Sequence, residues 1–207
     1  SPVRLNGISI FRDIFELRPG FRAAYCKTGF QVQRYWNVKA EEFTDSREEA
    51  IEKTRWLITD AVERQLVSDV PLCTLLSGGI DSSVVSSVAA QDYARRGMTL
   101  YTYSFEYEGN KENFKSSLFQ PQGDDEYALH MAEYIGSEHT VLTAPTQKVA
   151  DYLYNATIAR DMPGQSDIDS SLLYFCELIK RRHTVAISGE CADEIFGGYP
   201  WFYRKEM

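Results

Sequence analysis

Ser77-Gly78-Gly79-Ile80-Asp81-Ser82-Ser83 is a run in which nearly every residue type can do chemistry. Gly78 and Gly79 let backbone N–H groups approach an anion with no Cβ in the way. Ser77, Ser82 and Ser83 add hydroxyls. Asp81 would repel a bare phosphate, but it fits if a Mg²⁺ sits between its carboxylate and the phosphates. The run is not the Walker pattern, because no Lys follows the glycines. The plainer reading is a Gly-Gly-Asp turn between two elements. Far downstream lies a second polar run, Ser188-Gly189-Glu190-Cys191-Ala192-Asp193-Glu194-Ile195-Phe196-Gly197-Gly198-Tyr199. Asp193 could share a metal with Asp81 through oxygen ligands. Its plainer role is a helix N-terminal carboxylate. Glu190 could act as a general base, or simply accept backbone N–H bonds in its own turn. Glu194 reads as structural.

Both runs are placed by the elements before them. The apolar segment Leu72-Cys73-Thr74-Leu75-Leu76 reads as a strand, and a helical pattern follows from Ser82 to about Arg95. A helix N-terminus behind a glycine loop offers unpaired N–H groups and a positive dipole end to phosphate. Leu100–Tyr107, Glu138–Leu142 and His183–Ile187 read as three further strands. Apolar spacing predicts helices over 46–68, from Asp124 or Asp125 to about Gly136, and over 146–160 and 169–182. Ser46 with Glu49 forms a capping box at the first of these. Strands alternating with helices indicate βαβ units and a parallel sheet. Both polar runs begin as a strand ends, at the sheet edge where such folds bind ligands. Residues 108–124 form a long polar loop. Residues 8–36 read as β structure, with a hairpin turning at Lys27-Thr28-Gly29 after a Leu17-Arg18-Pro19-Gly20 turn.

At 207 residues, one α/β domain with a small appendage is the natural size. A net charge of −8 argues against a nucleic-acid grip. No apolar run approaches the ~20 residues of a membrane span, and no signal peptide opens the chain. Cys26, Cys73, Cys176 and Cys191 form no CxxC pair, and the three His residues are scattered; this is cysteine usage of a reducing, cytoplasmic compartment. Cys73 and Cys176 lie in apolar runs and read as buried small hydrophobes.

The first run resembles the PP-loop of N-type ATP pyrophosphatases, which cleave ATP between its α and β phosphates and adenylate a substrate. The second resembles the SGEGADExFGGY segment of the asparagine synthetase family. The two occur in the family's order and spacing, and the likeness extends from about Ile10 to the C-terminus. It implies an α/β fold of the adenine nucleotide alpha-hydrolase type, a parallel sheet with flanking helices preceded by a small β-hairpin region. Residues 1–45 would be a β-rich connector and 46–207 the synthetase domain. It further implies ATP and Mg²⁺, with aspartate and ammonia or glutamine as the other substrates. Asp81 and Asp193 would hold the metal and Glu190 would help deprotonate ammonia. Ser77, Gly78, Gly79, Ser82 and Ser83 would bind pyrophosphate. Leu76 and Tyr107 would lie against adenine, with Ser188 and Gly189 close to the nucleotide. Asp161 and the loop 163–170 fall where the family holds its carboxylate substrate.

The chain also departs from that family. Cys191 stands where the family usually has Gly, which matters only if its φ is positive. Full-length members begin with a glutaminase domain, absent before Ser1, and continue past Met207 with more helices and a lysine that grips the phosphates. The resemblance therefore implies a fragment with little activity alone, its glutaminase domain missing in cis. The apolar N-terminal surface could also support self-association as a homodimer. Alternatives are an adenylating amidotransferase or a β-lactam or macrolactam synthetase acting on another carboxylate, and a non-catalytic nucleotide-binding module.

Overall fold

The computed structural model describes residues 7–113, 125–162 and 164–205. Contacts divide the chain between Glu49 and Ala50 into two compact units, each taken by itself below. Pro163, Glu206, Met207 and the greater part of the expected 108–124 loop lie outside the described residues.

In the first unit, strands β1 (Phe21–Cys26) and β2 (Gly29–Arg34) pair antiparallel, from Phe21 opposite Arg34 to Cys26 opposite Gly29. Gly29 takes φ 117°, open to glycine and strained for other residues, so the hairpin turns where the sequence indicated. The expected β structure over 8–20 is not formed. The sheet here has only two strands, and the preceding segment finds no ladder to join. Instead Phe21 N–H closes a turn on the Arg18 carbonyl at 3.1 Å.

Helix α1 (Arg47–Gln65) opens on the capping box read from the sequence. The Ser46 N–H donates to Glu49 Oε2 at 2.9 Å, and the Glu49 N–H donates to Ser46 Oγ at 3.3 Å. The second unit is built on four parallel strands: β3 (Leu72–Leu75), β4 (Tyr101–Tyr107), β5 (Glu138–Ala144) and β6 (Val185–Ile187). They are linked by α2 (Ile80–Arg95), a short α3 (Asn110–Asn113), α4 (Asp125–Ile135), α5 (Thr146–Asp151), α6 (Leu153–Arg160) and α7 (Ser166–Lys180). After β6 come α8 (Ala192–Phe196) and a 3₁₀ turn, Pro200–Phe202. The helix expected over 146–160 is interrupted at Tyr152, which separates α5 from α6.

The spatial strand order is β5-β4-β3-β6. From β3 the chain winds outward through β4 to β5, then returns to the other side of β3. The strand order therefore reverses between β3 and β6, and open α/β sheets bind ligands in the crevice at such a point. Register keeps these two strands tight, with Leu72, Cys73 and Thr74 opposite Val185, Ala186 and Ile187.

Both sheet faces are covered, and β3, buried along nearly its whole length, reads as an apolar run rather than clean alternation. On one face Leu66, Leu72, Ala89, Ala90 and Leu100 form a buried cluster. On the other, Cys73, Tyr103 and Ile179 pack with Phe105 and Leu142. Leu76 joins Ala128 and Ala132 of α4. Cys73 is fully buried and desolvation pushes its thiol up to about 12, so it is an inert core residue, as expected. Cys176 is a correction, since it lies exposed on α7. The helix turns Phe175 and Ile179 into the core instead, and a residue next to Phe175 points about 100° away from it.

Candidate active site

The loop after β3 begins at Leu76, whose side chain is fully buried and whose N–H donates to the Tyr103 carbonyl at 2.7 Å. The chain then needs a sharp change of direction, and Gly78 provides it at φ 89°. Gly79 caps α2 in extended conformation, and its carbonyl accepts the Ser83 N–H at 3.0 Å. The Ser82 hydroxyl locks this turn: it accepts the Ser77 N–H at 3.1 Å, pairs with Ser77 Oγ at 2.9 Å and donates to the Gly79 carbonyl at 3.1 Å. Beneath it, Thr74 Oγ1 and Ser86 Oγ meet at 2.8 Å in full burial. The loop thus arrives pre-shaped, with Asp81 in the first turn of α2.

The loop after β6 is seated directly on this turn. A Cβ on Gly189 would lie 2.9 Å from both the Asp81 carbonyl carbon and the Ser82 nitrogen. Those are backbone atoms, so the approach is open only to glycine. Cys191 follows at φ 74°, in the left-handed region, where the family usually has Gly. It caps α8 and places Asp193 in that helix's first turn.

Together the loops line a cavity of about 530 Å³. Ser77, Asp81, Ser82, Ser188, Gly189, Glu190 and Asp193 all contribute to it, so much of the expected set converges. Leu75, Phe105, Cys191, Ala192, Glu194 and Tyr199 complete the wall. Gly78, Gly79, Ser83, Leu76 and Tyr107 are outside the lining. Tyr107 closes β4 instead, with its hydroxyl 2.8 Å from Ser171 Oγ. The described residues of 161–170 do not line the cavity either. Asp161 ends α6 in left-handed conformation at φ 56°, and Asp169 pairs with Arg160 while accepting the Gln165 N–H at 2.7 Å.

Phe105 and Tyr199 were missed in the sequence. For Phe105 a signal existed: Tyr101, Tyr103, Phe105 and Tyr107 alternate along β4 and so share one face. Phe105 stacks on buried Phe175 with ring centroids 4.2 Å apart. Tyr199 is held by its hydroxyl donating to Glu194 at 3.1 Å, which gives Glu194 the structural role expected of it.

The electrostatics are one-sided. Among the described residues, the lining holds the carboxylates Asp81, Glu190, Asp193 and Glu194 and no Lys, Arg or His. Burial, then the nearby Asp193 charge, holds the Asp81 carboxyl above the usual carboxylate range. Neither Asp81, Asp193 nor Glu190 makes a side-chain hydrogen bond or ion pair among the described residues. The Glu190 side chain is therefore not engaged by its own turn. The described residues hold no cluster of three or more metal-ligating side chains. Two repelling hard-oxygen ligands nevertheless suit Mg²⁺, which is commonly held by one or two carboxylates with substrate phosphates and water completing its shell.

The fold and site define an α/β protein with a polar, acidic cavity at the switch point of a parallel sheet. The family model for asparagine synthase matches residues 53–207. The chain belongs to the asparagine synthase family. It is 45% identical over its full length to "Asparagine synthetase [glutamine-hydrolyzing] 3" of Bacillus subtilis, of which it covers 34%. "Amidase chyE" of Penicillium rubens is 27% identical over 96% of the chain, covering 31% of that protein. The glutamine-hydrolyzing asparagine synthetase of Asparagus officinalis is 31% identical over 70% of the chain, and 24% of that relative is covered. The chain thus spans about a third or less of the length of these relatives. Among solved structures, an NAD⁺ synthetase of Burkholderia pseudomallei aligns over 77% of this chain and 59% of its own, at 18% identity and a TM-score of 0.38. No helix among the described residues is long and apolar enough to cross a membrane.

Proposed function

We propose that this chain carries the synthetase site of a glutamine-dependent asparagine synthetase with a PP-loop of the ATP pyrophosphatase type. The carrying observation is the seating of Gly189 on the Asp81–Ser82 backbone, which joins the two loops into one site at the β3/β6 switch point.

The N–H groups at the start of α2 face the phosphates of ATP, and Ser77 and Ser82 hold the turn that presents them. Asp81 and Asp193 would hold Mg²⁺, which would supply the positive charge that a triphosphate requires. Leu75 and Phe105 wall the site against water on the sheet side. The β-carboxylate of aspartate attacks the α-phosphorus, forming an aspartyl-adenylate and releasing pyrophosphate. Ammonia then attacks the activated carbonyl carbon. Glu190 takes the proton that the nitrogen loses, and AMP departs with the electron pair of the broken C–O bond. Glutamine is the source of ammonia, through a glutaminase domain in the same polypeptide. We assign the enzyme to the cytoplasm, in line with its free cysteines.

The relationship to a protein named an amidase favours one second reading, in which the same adenylation acts on another carboxylate. Full-length protein supplied with Mg·ATP, ammonia and a panel of acids separates the two. Asparagine formed only with aspartate supports the first reading, and an amide of another acid supports the second. No amide with any acid, from folded protein, contradicts both.

A further inference from the structure

Gly197 and Gly198 stand side by side after α8, yet the backbone needs only one of them to be glycine. Gly197 ends the helix at φ 68° and ψ 39°, in the left-handed region. Gly198 has no positive φ, so an L-residue could adopt its conformation. What excludes a side chain there is Asp193. The N–H groups of Gly197 and Gly198 both turn back onto the Asp193 carbonyl, the latter at 3.0 Å. This brings Gly198 over the Asp193 side chain. A Cβ at position 198 would lie 1.8 Å from Asp193 Oδ1 and 2.9 Å from Cγ, while the nearest Asp193 backbone atom, Cα, would be 3.3 Å away.

We propose that Gly198 is a positioning residue for the metal site: its absent side chain is the seat of the Asp193 carboxylate. This rests on the reading of Asp81 and Asp193 as Mg²⁺ ligands. The contact is with the far end of a movable side chain. Adding a methyl group therefore turns the carboxylate away rather than breaking the fold. The carboxylate has no other hold, since it makes no hydrogen bond or ion pair among the described residues. Nothing would return it to the side of Asp81. Gly198 is also exposed, so an added methyl displaces no core.

The test is direct binding of Mn²⁺ to full-length protein in the presence of a non-hydrolysable ATP analogue, read by electron paramagnetic resonance. Thermal unfolding without metal is measured alongside. Gly198→Ala is expected to unfold near the wild-type temperature while Mn²⁺ affinity falls about 10–100-fold, the usual effect of disturbing a group that orients a ligand. Asp193→Asn is the companion variant. If it leaves Mn²⁺ affinity unchanged, the metal reading itself fails. If it weakens Mn²⁺ binding while Gly198→Ala does not, the role of Gly198 is overturned. Should Gly198→Ala fail to fold, the Asp193→Ala/Gly198→Ala double variant decides. Recovery of folding in the double variant identifies the carboxylate as the obstacle, and no recovery overturns the proposal.

Discussion

Asp81 and Asp193 lie close enough for their charges to repel, and neither side chain makes a hydrogen bond or ion pair among the described residues. The folded protein raises the Asp81 pKa above its unfolded value. By linkage, the stability this group contributes is complete below the ordinary carboxylate pKa and is lost as pH rises through the raised value. At neutral pH ionised Asp81 therefore opposes folding. Asp81→Asn is expected to raise the unfolding temperature of metal-free protein and to remove the further rise that Mg·ATP gives the wild type. Calorimetry at pH 7.5 with and without Mg·ATP checks both. A metal-free variant less stable than wild type would show that Asp81 has a structural partner instead.

Cys191 is the other residue whose cost is local. A left-handed conformation costs a non-glycine residue about 1–2 kcal/mol. Glycine recovers that but loses about 0.5–1 kcal/mol to the greater entropy of its unfolded chain. Cys191→Gly is therefore expected to stabilise by about 1 kcal/mol or less, whereas Cys191→Val should destabilise, because a β-branched residue tolerates positive φ poorly. Urea unfolding of the two variants gives the signs. The sequence flagged this position only through its departure from the family motif. The positive φ comes from the geometry of the turn that enters α8.

At the scale of elements, the two loops that line the cavity are held by strands that pair in register and by a wall behind them. Phe175, 1% exposed, stacks on Phe105 and meets Tyr107 edge-on, with ring centroids 6.0 Å apart. Phe105 in turn lines the cavity. Phe175→Ala is expected to cost about 3–5 kcal/mol, as large-to-small core changes do, and to raise the KM for ATP by letting that wall sag. Denaturant melts and steady-state kinetics read the two effects separately. Strand β3 was legible because it is buried and leaves an apolar run before turn residues, and β4 because its aromatic residues alternate onto one face. The capping box at Ser46 was legible because it is wholly local. The break at Tyr152 was not, since 146–160 keeps its apolar spacing through it. Residues 8–20 show the converse: they read as β structure in the sequence, but a strand needs a pairing partner and none is formed there.

Over the whole molecule, the site's two motifs were visible as residue types, and their convergence followed from each lying at a strand's end. What the sequence could not contain is the closeness of the contact. Gly189 against the Asp81 backbone and Gly198 against the Asp193 carboxylate are distances between atoms, not patterns of letters. The first unit presents many apolar side chains to solvent, among them Phe15 at 81% and Tyr25 at 86% exposure. With a net charge of −8, the proposed phosphate binding would be local rather than carried by a basic surface. The central claim is that these two loops form one site that splits ATP between its α and β phosphates to activate a carboxylate. Its most direct test is the product pair released from ATP by full-length protein with Mg²⁺, aspartate and ammonia. AMP and pyrophosphate are expected in equal amounts, dependent on the acid and abolished by Asp193→Asn. Release of ADP and phosphate, or AMP formation unchanged by Asp193→Asn, would contradict it.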